Sequence, residues 1–121
     1  MDDFIPRNIT EKLDSLLSYF PIVGITGPRQ CGKTTLVKEF TRKRHDKKYL
    51  YLDLEYDEDL AKLTNPVAFF NRYQDYCVII DEIQCKPDIF PLFRSLIDRH
   101  RIPGRFIILG SSSPYLLRNS S

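Results

Sequence analysis

Gly27-Pro28-Arg29-Gln30-Cys31-Gly32-Lys33-Thr34 has the spacing G-x-x-x-x-G-K-[ST] of a phosphate-binding loop. Glycines at its two ends let the backbone bend until its N–H groups point inward at an anion. Lys33 is then placed to reach the outer phosphates, and the Thr34 hydroxyl to hold Mg²⁺. The candidate nucleotide-binding set is Gly27, Pro28, Arg29, Gln30, Cys31, Gly32, Lys33, Thr34 and Thr35. Such a loop needs a strand before it and a helix after it. Residues 22–26, Ile-Val-Gly-Ile-Thr, read as a buried strand. Residues 34–40 read as a helix, whose positive N-terminal end would face the phosphate.

Downstream, the apolar run Cys77-Val78-Ile79-Ile80 ends in Asp81-Glu82. It reads as a buried parallel strand with two carboxylates at its C-terminal edge, where open α/β sheets bind ligands. Asp81 fits the carboxylate on the Mg²⁺ side, directly or through water. Glu82 fits the base that orients an attacking water. Acids often end buried strands, so this motif is informative chiefly because it follows the loop.

The remaining elements come from periodicity and turn chemistry. Ile9, Leu13, Leu16, Leu17 and Phe20 recur at helical spacing, and Pro21 ends that helix. Residues 49–54 form a second strand, and acidic residues 55–59 start a short helix through Leu63. Asn65-Pro66 is a helix start, a capping residue followed by proline at the first position. Pro87-Asp88 opens another helix with Ile89, Phe90, Leu92, Phe93, Leu96 and Ile97 on its apolar face. Pro103-Gly104 makes a turn before a fourth buried strand, residues 106–109. Gly110-Ser111-Ser112-Ser113 follows, either approaching a γ-phosphate or serving as an ordinary turn. Strands alternating with helices give an α/β fold, a parallel sheet with helices on both faces.

Composition sets bounds. The chain has 121 residues, enough for one domain, and its net charge of +2 projects no field toward nucleic acid or membrane. No apolar stretch is long enough to span a bilayer. Met1-Asp2-Asp3-Phe4 is not a secretory signal, so a cytoplasmic location is expected. Cys31, Cys77 and Cys85 lack metal spacing and read as reduced thiols. Cys31 lies beside Lys33 and a helix N-terminus, which together would lower a thiol pKa. The basic run at residues 42–48 reads as a solvated helix end, with a nucleic-acid patch as the alternative. The N-x-S/T sites at Asn8 and Asn119 carry no meaning without a secretory route.

The loop at 27–36, Leu52-Asp53, Ile79-Ile80-Asp81-Glu82-Ile83-Gln84, Phe93-Arg94, Ile97-Asp98 and Leu109-Gly110-Ser111-Ser112 occur together. This set resembles the N-terminal ATPase domain of a prokaryotic AAA-type family with a G-P-R-Q-x-G-K-T-T-L loop. The likeness runs from about Arg7 to Leu116. It implies an ASCE-type P-loop sheet in which the loop strand lies beside the fourth strand, then the third, then the second. It implies Mg-ATP binding by the Walker A residues Gly32, Lys33 and Thr34 with the Walker B Asp81. Glu82 would be the catalytic glutamate, with Lys33 beside it, and Ser111 would stand at a sensor position. Family members continue through a fifth strand, an arginine-bearing segment and a C-terminal domain. On that basis residues 1–121 are expected to form a single, partial ATPase domain with a poor turnover and a tendency to self-associate through the loop strand. Arg29, Arg94, Arg105 and Arg118 are candidates by charge alone for stabilising a transition state.

Three functions compete. One is a Mg²⁺-dependent ATPase, completed by a C-terminal part or a partner. Another is a module that binds ATP with little turnover. The third is a helicase D-E-x-x box, which needs a second motor domain that this length excludes. A small-molecule kinase would lack the strand-end glutamate and would need a substrate lid.

Overall fold

Four runs rich in β-branched and aromatic residues form strands, the residue types that suit a pleated, buried surface. They are β1 (Ile22–Gly27), β2 (Lys48–Asp53), β3 (Tyr76–Asp81) and β4 (Phe106–Ser111). All pair in parallel, in the order β1-β4-β3-β2. This is the order that the resemblance implies. The computed structural model describes residues 7–27, 32–44 and 47–111. Pro28, Arg29, Gln30, Cys31, Ser112, Ser113 and Arg118 lie outside them, so the expectations placed on these residues do too.

Parallel strands need crossovers, and here helices supply them. They are α1 (Arg7–Tyr19), α2 (Lys33–Arg42), α3 (Asp57–Ala61), α4 (Pro66–Arg72) and α5 (Phe90–Arg99). Asn65 caps α4 as expected, its Oδ1 accepting the Ala68 N–H at 3.3 Å. Pro91 sits in the first turn of α5, where no helical acceptor is lost.

Side chains of a strand alternate between faces. Val78 and Ile80 of β3 join Leu52, Leu63, Phe70, Phe93, Leu96 and Phe106 in a core on the α4–α5 side. Phe70 meets Phe106 edge-on at 5.1 Å and Phe93 at 6.0 Å, all three rings buried. Each such side chain contributes about 1.5–3 kcal/mol by leaving water. Cys77 and Ile79 face the other way, with Val37 of α2, Ile107 and Leu109. A parallel sheet is thereby covered on both faces.

Several expectations need correction. β1 is not uniformly buried: Val23 and Gly27 are, but Gly24 is exposed. The reason is position, since β1 has β4 as its one neighbour among the described residues. Helix α1 begins two residues before Ile9, and Ile9 and Phe20 remain exposed because the helix buries chiefly Leu13. Pro87 opens a 3-10 turn, Pro87–Ile89, and the α-helix starts only at Phe90. Ser111 is the last residue of β4, not part of the turn after it, and pairs with Gly27. The Pro103-Gly104 turn is present, with Gly104 at φ 70°, and a Cβ there would approach the Leu17 carbonyl oxygen to 3.0 Å.

The basic run behaves as a helix end. Arg42 makes two bonds to Glu39, at 2.8 and 3.2 Å, and Arg44 pairs with Asp14 at 2.8 Å. Lys48 lies 3.5 Å from Asp75 and over the Tyr76 ring. Of the three thiols, Cys77 is buried and Cys85 exposed; burial pushes Cys77 up to about 12, so it stays protonated.

Candidate functional site at the C-terminal edge of the sheet

The four strands end, in sheet order, at Gly27, Ser111, Asp81 and Asp53. Register places Gly27 opposite Ser111 and Asp53 opposite Asp81. One row thus gathers a loop glycine, a hydroxyl and two carboxylates from four distant parts of the sequence.

Helix α2 faces this row with its N-terminus. Its capping residue Gly32 has φ 91° and ψ 13°, a left-handed conformation that costs glycine nothing and other residues about 1–2 kcal/mol. Lys33 follows at once and is only 8% exposed. Its Nζ donates to the Gly27 carbonyl at 3.2 Å, so the ammonium lies at the end of β1. Thr35, next on the helix, is exposed.

Asp81 is the hub. It is 3% exposed, and period two carries its side chain to the α2 side of the sheet, beside Ile79. Its Oδ2 accepts the Thr34 hydroxyl at 2.7 Å and also the Tyr51 hydroxyl. Its Oδ1 accepts the Glu82 backbone N–H at 2.9 Å. Donors from α2, from β2 and from the turn after β3 converge on one carboxylate. A buried carboxylate requires such partners. Burial first, and then the Asp81 carboxylate, push the Tyr51 phenol far above its ordinary pKa, so it acts as a donor.

The oxygens of Thr34 and Asp81 are hard ligands, and hard ligands suit Mg²⁺. Among the described residues no group of three or more His, Cys, Asp or Glu side chains could hold a metal. Mg²⁺ commonly takes one or two protein oxygens and completes its shell with phosphates and water.

Glu82 follows with φ 57° and ψ 50°, the one non-glycine residue with positive φ among the described residues. The turn lets Ile83, 2% exposed, plug into the α4–α5 core while the Glu82 side chain stays at the sheet edge. Strain of this kind, about 1–3 kcal/mol, gathers at functional sites. Gln84 Nε2 donates to Glu82 Oε1 at 2.6 Å. Gln84 Oε1 and Ser111 Oγ are buried with no hydrogen-bond partner among the described residues.

Residue by residue, the structure brings together Gly27, Gly32, Lys33, Thr34, Asp81, Glu82 and Ser111, all at one edge. Arg105 is elsewhere. It precedes β4 at the opposite edge, 1% exposed, with Nη2 donating to the Phe70 carbonyl at 3.1 Å. Its candidacy beside a phosphate is therefore withdrawn. Arg94 is exposed on α5. Sequence reasoning missed Tyr51 and the Gln84 contact to Glu82. The alternation of Tyr49, Tyr51 and Asp53 along one strand was the available signal for Tyr51.

The AAA domain family matches residues 19–121. An uncharacterized protein of Mycobacterium bovis and another of Mycobacterium tuberculosis are each 38% identical over 111 residues. The match covers 92% of this chain and 24% of each relative, so the chain spans about a quarter of the length of the curated relatives it matches. None of the described helices is long and apolar enough to cross a membrane. Taken with the all-parallel four-stranded sheet, the match over residues 19–121 shows that the chain belongs to the AAA domain family, as a P-loop ATPase-like, nucleotide-binding domain.

Proposed function

We propose that this domain binds ATP with Mg²⁺ and hydrolyses the γ-phosphate bond through water held by Glu82. The observation that carries the reading is the 2.7 Å bond from Thr34 to Asp81. It joins the helix after the loop to the end of β3, where a metal and a phosphate would meet. Lys33 and the helix N-terminus supply positive charge to the phosphates. Thr34 and Asp81 would hold Mg²⁺, which when bound supplies neutralisation of the developing phosphate charge. Glu82 accepts a proton from the attacking water. The water oxygen bonds to the γ-phosphorus as the bond from phosphorus to the bridging oxygen breaks, giving ADP and phosphate. Ser111, at the end of β4, would donate to the transferring group.

One observation favours a module that binds with little turnover. The Glu82 carboxylate is already engaged by Gln84 at 2.6 Å, and water must compete with that contact. Phosphate release and calorimetry on the Glu82→Gln variant test the main reading. ATP affinity is expected within about twofold of the parent, with hydrolysis lost. Turnover equal to that of the parent would remove Glu82 from its role. A parent protein that binds ATP and releases no phosphate would leave the binding module as the function.

A further inference from the structure

We propose that the Tyr51 hydroxyl is a positioning group for the metal side of this site, fixing the Asp81 carboxylate from the sheet. The inference rests on the Mg-ATP reading above and adds a residue that the loop and strand motifs do not contain.

The argument begins with strand geometry. Tyr51 and Asp81 lie on adjacent parallel strands, Tyr51 opposite Ile79 and Asp53 opposite Asp81. The Tyr51 ring therefore starts two residues behind Asp81, on the same face, and its hydroxyl reaches forward to Asp81 Oδ2. The other hydroxyl on that oxygen comes from Thr34, which follows the loop by two residues. Any change in the loop that turns α2 shifts Thr34. Tyr51 is carried by the sheet, and its hydroxyl meets both Asp81 and Thr34.

The ring is held as well. Tyr51 packs partly buried against the cluster of Val37, Ile79 and Leu109, and the Lys38 ammonium lies 4.8 Å from its centroid. A phenylalanine would fill the same volume and keep the cation contact. The hydroxyl is an added polar group in a half-buried place, and such groups stabilise only when bonded. Its bonded partner here is the carboxylate that would face the metal. Precise aim of a metal-side ligand depends on partners of this kind.

The test measures binding and needs no turnover. ADP is titrated into the full chain by calorimetry, once with Mg²⁺ and once with EDTA. The ratio of the two affinities is the Mg²⁺ coupling. The parent is compared with Tyr51→Phe, Asp81→Asn, the double variant and Tyr49→Phe, a tyrosine on the same face of β2. Tyr51→Phe is expected to lower the coupling about 3- to 10-fold, the loss of one hydrogen bond, and to leave affinity in EDTA within about twofold. Tyr49→Phe should change neither value. In the Asp81→Asn background the Tyr51→Phe effect should vanish, because the carboxylate that Tyr51 positions toward the metal is gone. Full coupling in folded Tyr51→Phe, whatever its melting temperature, overturns the proposal and leaves Tyr51 a packing residue. An undiminished Tyr51→Phe effect in the Asp81→Asn background overturns it too. A parent that binds ADP without Mg²⁺ coupling, or does not bind it, overturns the Mg-ATP reading itself and this inference with it.

Discussion

On β3, Val78 and Ile80 look into the α4–α5 core, while Cys77, Ile79 and Asp81 look toward α2. The first face is a continuous apolar cluster with three aromatic rings in edge-on and tilted contact, and none of the groups bonded to the Asp81 carboxylate comes from it. The second is a smaller cluster that gives way, at the strand ends, to Lys33, Thr34, Tyr51 and Asp81. Apolar burial is non-directional and scales with area, so it suits the face that holds the fold together. A carboxylate needs donors at set positions, so it belongs where a helix end, a strand and a turn can each supply one. Alternation at period two lets one six-residue strand serve both.

If the faces divide labour in this way, damage to each should read differently. The largest effect is expected on the apolar face. Phe70→Ala should cost about 3–5 kcal/mol in urea denaturation, since a fully buried ring in contact with Phe93 and Phe106 leaves a cavity. A loss under about 1 kcal/mol would show that this face is loosely packed.

On the other face Lys33→Ala should act on binding alone. Charge-assisted bonds contribute about 1.5–3 kcal/mol, so ATP affinity should fall roughly 10- to 150-fold by calorimetry. Stability should change by under about 1 kcal/mol. Equal affinities would refute the phosphate-loop assignment.

Glu82 lies at the boundary, with its backbone strained and its side chain proposed for catalysis. Glu82→Gly should therefore stabilise the fold by about 0.5–1 kcal/mol while removing hydrolysis. A destabilised variant would mean that the bond from Gln84 outweighs the left-handed strain.

The smallest effect is electrostatic, at the end of β2. Asp59 accepts the Asp53 backbone N–H at 2.9 Å and pairs with Lys62 at 3.1 Å. The backbone bond first, and Lys62 after it, hold its carboxyl below the usual value. A depressed folded-state pKa contributes stability that is complete above the unfolded value of about 4 and is lost as pH falls through the folded one. The difference in melting temperature between the parent and Asp59→Asn should thus shrink as pH drops below about 4. A difference independent of pH would assign the effect to shape alone.

The local rules were legible in the chain itself. The glycine and lysine spacing at residues 27–34, the apolar run before Asp81 and the proline-marked helix starts identified the elements and their α/β class. Such signals lie within a few residues, where backbone sterics and hydrogen-bond geometry act directly. Which strand lies beside which was carried by family likeness, since pairing between β1 and β4 joins segments some eighty residues apart. The reach of Tyr51 to Asp81 is a matter of register, and a slip of one residue would turn that side chain to the other face. The burial of Arg105 at the far edge was equally hidden, because charge alone does not say at which end of a strand a residue falls. Sequence determined the elements and the candidate chemistry. Packing decided which oxygen meets which hydroxyl, because contacts between distant segments exist only once every strand has found its neighbour.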